Sequence, residues 1–178
     1  MPLPELLEVV YRFYPRGIVS TSPGYDDTPE RRRQVEAARV GAAEYPTWKA
    51  MIRRLRARYE VNDLSLHILS GSVDPAYTAK LVVPGKEAEA LDLDRRLGVF
   101  MRFGFRVSLL GPYYLIHRTD DPDEEPCARD VAREIEATYR GYEPVPPELG
   151  NVVVPDVALD TVGPGEVTVY DCLLLSHW

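Results

Sequence analysis

A chain of 178 residues, 45% hydrophobic and 28% charged, is long enough for one domain that buries about 70% of its unfolded surface. Its 11 Tyr, 4 Phe and 2 Trp exclude a disordered composition. A formal net charge of −7 argues against nucleic acid as the main partner, because phosphate binding draws on concentrated Lys and Arg. The charge is unevenly placed: residues 1–60 hold 11 Lys and Arg against 8 Asp and Glu, whereas residues 61–178 hold 10 against 20. No stretch approaches the roughly 18 apolar residues of a membrane span, and Met1-Pro2-Leu3-Pro4-Glu5 carries no basic and apolar leader. Two cysteines, Cys127 and Cys172, do not make a disulfide framework. The expectation is a cytoplasmic protein without membrane contact.

Residues 5–14, ELLEVVYRFY, fit a helical stripe through Leu6, Leu7, Val10 and Phe13. They also fit strand alternation through Leu7, Val9, Tyr11 and Phe13, and β-branched and aromatic content tilts the reading slightly to strand. Thr28-Pro29-Glu30 reads as an N-cap, a first-turn proline and an acid at the positive helix end, predicting a helix to about Ala43. Pro46 then restarts a second helix whose Trp48, Met51, Ile52, Leu55 and Tyr59 form one stripe, with Arg53, Arg54, Arg56 and Arg58 as its solvated outer faces. Strands are expected at 64–69 and 77–83, joined as a hairpin through Gly71 to Pro75. The strongest alternation follows, Val99, Met101, Phe103, Phe105, Val107 and Leu109, with a strand at 113–118 after Gly111-Pro112. Pro126 opens a third helix with Val131, Ile135 and Tyr139 inward, and Gly141 stops it. Pro144, Pro146 and Pro147 form a stiff connector, and strands at 151–154 and 167–175 close the chain. The sum is a single α+β domain over residues 1–178, a mostly antiparallel sheet covered by about three helices.

No phosphate loop, nucleophile elbow or metal-ligand spacing is present, so neither a metal nor a cofactor is expected. His67, His117 and His177 have no ligand-type neighbour at helical spacing. A pairing of Cys172 with His67 or His117 stays open, since such pairs meet in space rather than in sequence. What stands out is the run Asp120-Asp121-Pro122-Asp123-Glu124-Glu125. It reads as a solvated loop capping the third helix, or as a docking surface for a basic partner, with Tyr113 and Tyr114 as adjacent anchors. Its Asp-Pro-Asp order lacks the glycine and the distal glutamate of an EF-hand calcium loop.

Three segments together carry a resemblance. They are Tyr25-Asp26-Asp27-Thr28-Pro29-Glu30 with its arginines, Phe105 to Tyr114, and Val153-Val154-Pro155-Asp156-Val157 with Tyr170-Asp171-Cys172-Leu173 and Trp178. The chain resembles the small bacterial immunity proteins encoded beside polymorphic toxins. The resemblance implies a non-enzymatic protein that binds and neutralises a cognate toxin, and the acidic surface suits a basic, nuclease-type toxin. The alternatives are a hydrolase or transferase using His67 or His117, and an adaptor or regulatory module.

Overall fold

The computed structural model describes residues 2–85, 103–117, 121–160 and 162–175. It is an α+β architecture with one five-stranded sheet. Its longest element starts where the capping signal places it: the Thr28 hydroxyl accepts the Arg31 N–H at 3.2 Å, and helix α2 runs Pro29–Arg56. The two helices expected on either side of Pro46 are therefore one. A proline inside a helix costs about 3 kcal/mol. The residues after it, Trp48, Met51, Ile52 and Leu55, are all fully buried, and each such side chain contributes roughly 1.5–3 kcal/mol, so packing decides. Before the proline, Gly41 lets the helix approach Leu109 closely, because an added Cβ would stand 2.7 Å from Leu109 Cδ1.

The N-terminal segment is a helix, α1 (Leu3–Phe13), with Leu6, Val10 and Phe13 buried. The slight tilt toward a strand was wrong, since the i, i+4, i+7 stripe is the face that packs. Strands β1 (Glu60–Asp63), β2 (Ala76–Val82), β3 (Gly104–Ser108) and β4 (Tyr113–His117) pair antiparallel in chain order. The two-residue β5 (Glu143–Pro144) runs parallel beside β4. Tyr77, Ala79, Leu81, Phe105 and Val107 face α2 and helix α3 (Glu124–Thr138), and Phe103 joins that core. Val99 and Met101 lie outside the described residues. Ala76, Tyr113 and Leu115 point to a second core built with α1 and the C-terminal segment.

The strand expected at 64–69 is instead a 3-10 helix, Ser65–Ser70, and the strand lies earlier, at β1. Ser65 is the cause. Its hydroxyl accepts from Thr78 N–H at 2.7 Å and donates to Thr78 C=O at 2.9 Å, replacing a rung of the ladder and ending the strand. The strand expected at 167–175 is likewise overturned: a short helix, Val169–Leu173, starts on a capping box in which Thr168 and Asp171 bond reciprocally. The strand expected at 151–154 reduces to a single bridge, Val153 with Thr168.

The arginines at and just beyond the end of α2 also form ion pairs. Arg54 Nε donates to Glu134 at 2.8 Å and Arg58 reaches Asp130 at 2.7 Å, while Tyr59 donates to Asp130 at 2.7 Å. The basic first part of the chain and the acidic later part thus meet along the α2–α3 seam. No helix among the described residues is long and apolar enough to cross a membrane.

Candidate docking groove beside the acidic helix

The acidic run is not uniform in space. Asp123 is exposed, Asp121 and Glu125 are half-buried, and Glu124 is fully buried at 0% exposure. Asp120 lies outside the described residues. Asp121 has a local structural role, its Oδ1 accepting the Asp123 N–H at 3.0 Å, and Glu124 and Glu125 occupy the first turn of α3, where the helix dipole favours them. The reading of this run as a solvated loop fails at Glu124. A charge reversal there meets the core, whereas one at Asp123 meets water. We expect Asp123→Lys to leave stability within about 0.5 kcal/mol and Glu124→Lys to cost several times that, measured by denaturant titration of the two variants.

Tyr113 and Tyr114 are also inside, 7% and 2% exposed. The Tyr114 hydroxyl donates to Glu136 at 2.8 Å on the outer face of α3. Beside this pair lies a groove of about 390 Å³. Its floor is the β4 stretch Tyr114, Leu115 and Ile116, one wall is Ala128, Arg129 and Ala132 of α3, and the other is Pro144 to Pro147 with Tyr170. Small residues on α3 and ring-stiffened backbone opposite keep the space open. Tyr170 is held by a hydrogen bond to Val145 C=O at 2.8 Å and by its ring packing on Gly150, where a Cβ would stand 2.2 Å from the ring. Burial pushes its phenol up to about 12.

The groove is apolar inside and acidic around. Glu125 lines it with Arg129, the two forming a 3.7 Å ion pair. Glu136 holds Tyr114, and Glu143 and Glu148 flank the Pro144 to Pro147 wall, both exposed. The charged lining is the one Glu125–Arg129 pair; Glu136, bonded to the lining Tyr114, and the exposed Glu148, next to Pro147, add carboxylates at its margin. The sequence reading named Tyr114 and Glu125 from this place and missed Ala128, Ala132 and the proline wall. The proline cluster was the available signal, read there only as a connector.

A second cleft, about 430 Å³, is lined by Tyr14, Tyr25, Arg31, Gln34, Asp74, Asp160 and Asp171 among others. Its polar groups largely bond one another: Arg31 donates to Gln34 at 2.9 Å, and Ser72 donates to Asp74 at 2.5 Å. His67 Nε2 stands 2.7 Å from Asp74 Oδ2. Ser72 and His67 both address the Asp74 carboxylate. Cys172 is fully buried, and burial raises its thiol far from the thiolate that a nucleophile requires. Among the described residues no three His, Cys, Asp or Glu side chains gather to hold a metal ion.

Buried acids of this kind set the alkaline limit. Desolvation raises Tyr14, Tyr77, Tyr139 and Tyr170 above the ordinary value of 10.0, and Cys172 above 9.0. In the unfolded chain these groups release protons near their ordinary values, while the fold retains them. The unfolded state therefore binds fewer protons above about pH 9, and stability falls as pH rises. The melting temperature is expected to be little affected by these groups up to about pH 9 and to drop steeply between about pH 10 and 12, with tyrosinate absorbance rising only as the fold is lost. Tyrosinate forming in full near pH 10 in a still-folded chain would contradict this burial.

No protein-family model, no curated protein and no solved structure matches the chain.

Proposed function

We propose that this chain is a binding protein of the immunity type, which neutralises a basic toxin by docking it on the α3–β4 groove. The observation that carries the reading is the apolar groove lined by the Glu125–Arg129 pair, with Glu136 and Glu148 at its margin. An apolar centre excludes water and supplies affinity, while a rim of one sign steers an oppositely charged partner and speeds its arrival. A basic nuclease-type toxin suits that rim, because the surface that attracts phosphate also attracts carboxylates. The resemblance noted from the sequence points the same way, to a cytoplasmic inhibitor without catalysis of its own.

The test is co-expression with the product of the neighbouring gene. Wild type is expected to protect cells and to co-purify with that product. The variant Asp123→Lys, Glu148→Lys, which changes only exposed positions, is expected to remain folded and to bind with an association rate lower by about tenfold or more at low salt. Unchanged rates in this variant would remove the rim from the interface, and absence of binding by wild type would overturn the docking reading.

A further inference from the structure

We propose that the partner enters the groove as an extended basic segment that adds a strand to the outer edge of β4 at Ile116. The inference rests on the docking reading and specifies how the groove is filled.

The register carries it. In the β3–β4 pair, Tyr114 stands opposite Val107 and Ile116 opposite Phe105. Tyr114 C=O accepts the Val145 N–H at 3.0 Å, so its polar backbone points away from β3. Backbone groups two residues apart on a strand point the same way, and Ile116 therefore presents its N–H and C=O outward as well. The parallel partner strand ends before reaching them: β5 pairs only with Tyr113 and Tyr114. Beyond Val145 the chain continues as Pro146 and Pro147, which have no N–H to donate. Among the described residues nothing bonds the Ile116 backbone, which lies on the groove floor.

An open edge is a template for another strand, and natural sheets usually blunt such edges. Here the edge runs beneath a space already shaped for side chains. A segment placed along Ile116 would put alternate side chains against Ala128 and Ala132 of α3. Main-chain bonds would supply affinity and the pockets specificity. The bordering glutamates select Lys or Arg on that segment. A second copy of this chain, itself acidic at this edge, is disfavoured by the same charge.

The probe is the neighbouring gene's product, with three forms of this chain: wild type, Ile116→Ala and Ile116→Pro. Both substitutions remove the branched isoleucine side chain; only proline also removes the outward N–H, and the Leu115 to Arg106 rung does not use that N–H. Denaturant titration of both variants first establishes that they fold. The expected result is about tenfold weaker binding for Ile116→Pro than for Ile116→Ala, with hydrogen exchange at the Ile116 amide of wild type slowed at least about tenfold in the complex. A complex with equal affinity for both variants and unchanged Ile116 exchange overturns strand addition while leaving docking in place. No complex at all removes the docking reading and this proposal with it. Ile116 protection that grows with the concentration of this chain alone assigns the edge to a second copy and overturns the basic partner.

Discussion

Phe105→Ala is expected to destabilise the protein by about 3–5 kcal/mol, as large-to-small changes in a rigid core do. Phe105 is 0% exposed at the middle of β3, between Ala79 on β2 and Ile116 on β4. Its ring is 5.7 Å from Trp48, which itself stacks on Tyr77 at 5.0 Å. The cavity left by truncation would lie between the sheet and the straight part of α2 after Pro46, and neither a ladder bonded on both sides nor a helix pinned by Trp48 can collapse into it. Denaturant unfolding measures the loss directly. A change under about 1 kcal/mol would show that the contact between sheet and helix is loose.

Asp63→Ala is the second large effect, expected at roughly 2–4 kcal/mol. The Asp63 carboxylate accepts Tyr45 O–H at 2.7 Å, Trp48 Nε1–H at 3.0 Å and Ser65 N–H at 2.9 Å. It joins α2, β1 and the 3-10 helix through three donors, and alanine leaves all of them without a partner, two of them on buried rings. Leaving a buried donor unsatisfied costs about 1–3 kcal/mol. Asp63→Asn, which keeps an acceptor oxygen, should recover part of the loss. Equal stability of the aspartate, asparagine and alanine forms would mean that water replaces the carboxylate.

The parts of this fold that were legible from sequence are those where one physical signal acts alone. Thr28 and Pro29 start α2, the Trp48 to Leu55 stripe marks its buried face, and Val131, Ile135 and Tyr139 mark that of α3. The misreadings are places where a local polar bond competes with apolar pattern. Leu64 to Leu69 alternates as a strand would, yet the Ser65 hydroxyl substitutes for the ladder and leaves Leu66 and Leu69 exposed. Val167 to Leu175 is apolar enough for a strand, yet Thr168 and Asp171 close a capping box, a signal that was present in the spacing and outweighed by the run of leucines. Pro46 shows the reverse case, a local breaker overruled by burial on both sides of it.

The candidate site was only half visible for a related reason. Charge shows in sequence without its burial, so Asp123 and Glu124 read alike although one meets water and the other the core. The tyrosine pair was read as an anchor, whereas Tyr114 builds the groove from beneath and Tyr113 packs in the second core on the other face. The groove itself depends on β4 meeting the connector through a parallel pair, residue 113 with residue 143, a juxtaposition that no local pattern announces.

The docking claim is tested most directly by filling the groove. Ala132 is half-buried on the groove wall of α3, and arginine there is a good helix former whose long side chain would lie along the floor and bring a second positive charge beside Arg129. Titration of purified wild type and Ala132→Arg with the neighbouring gene's product, followed calorimetrically, gives the answer in one comparison. The account predicts a saturable complex with wild type and affinity reduced by at least about a hundredfold in the folded variant. Equal affinity for the two would show that the partner, if it binds this chain at all, does so elsewhere.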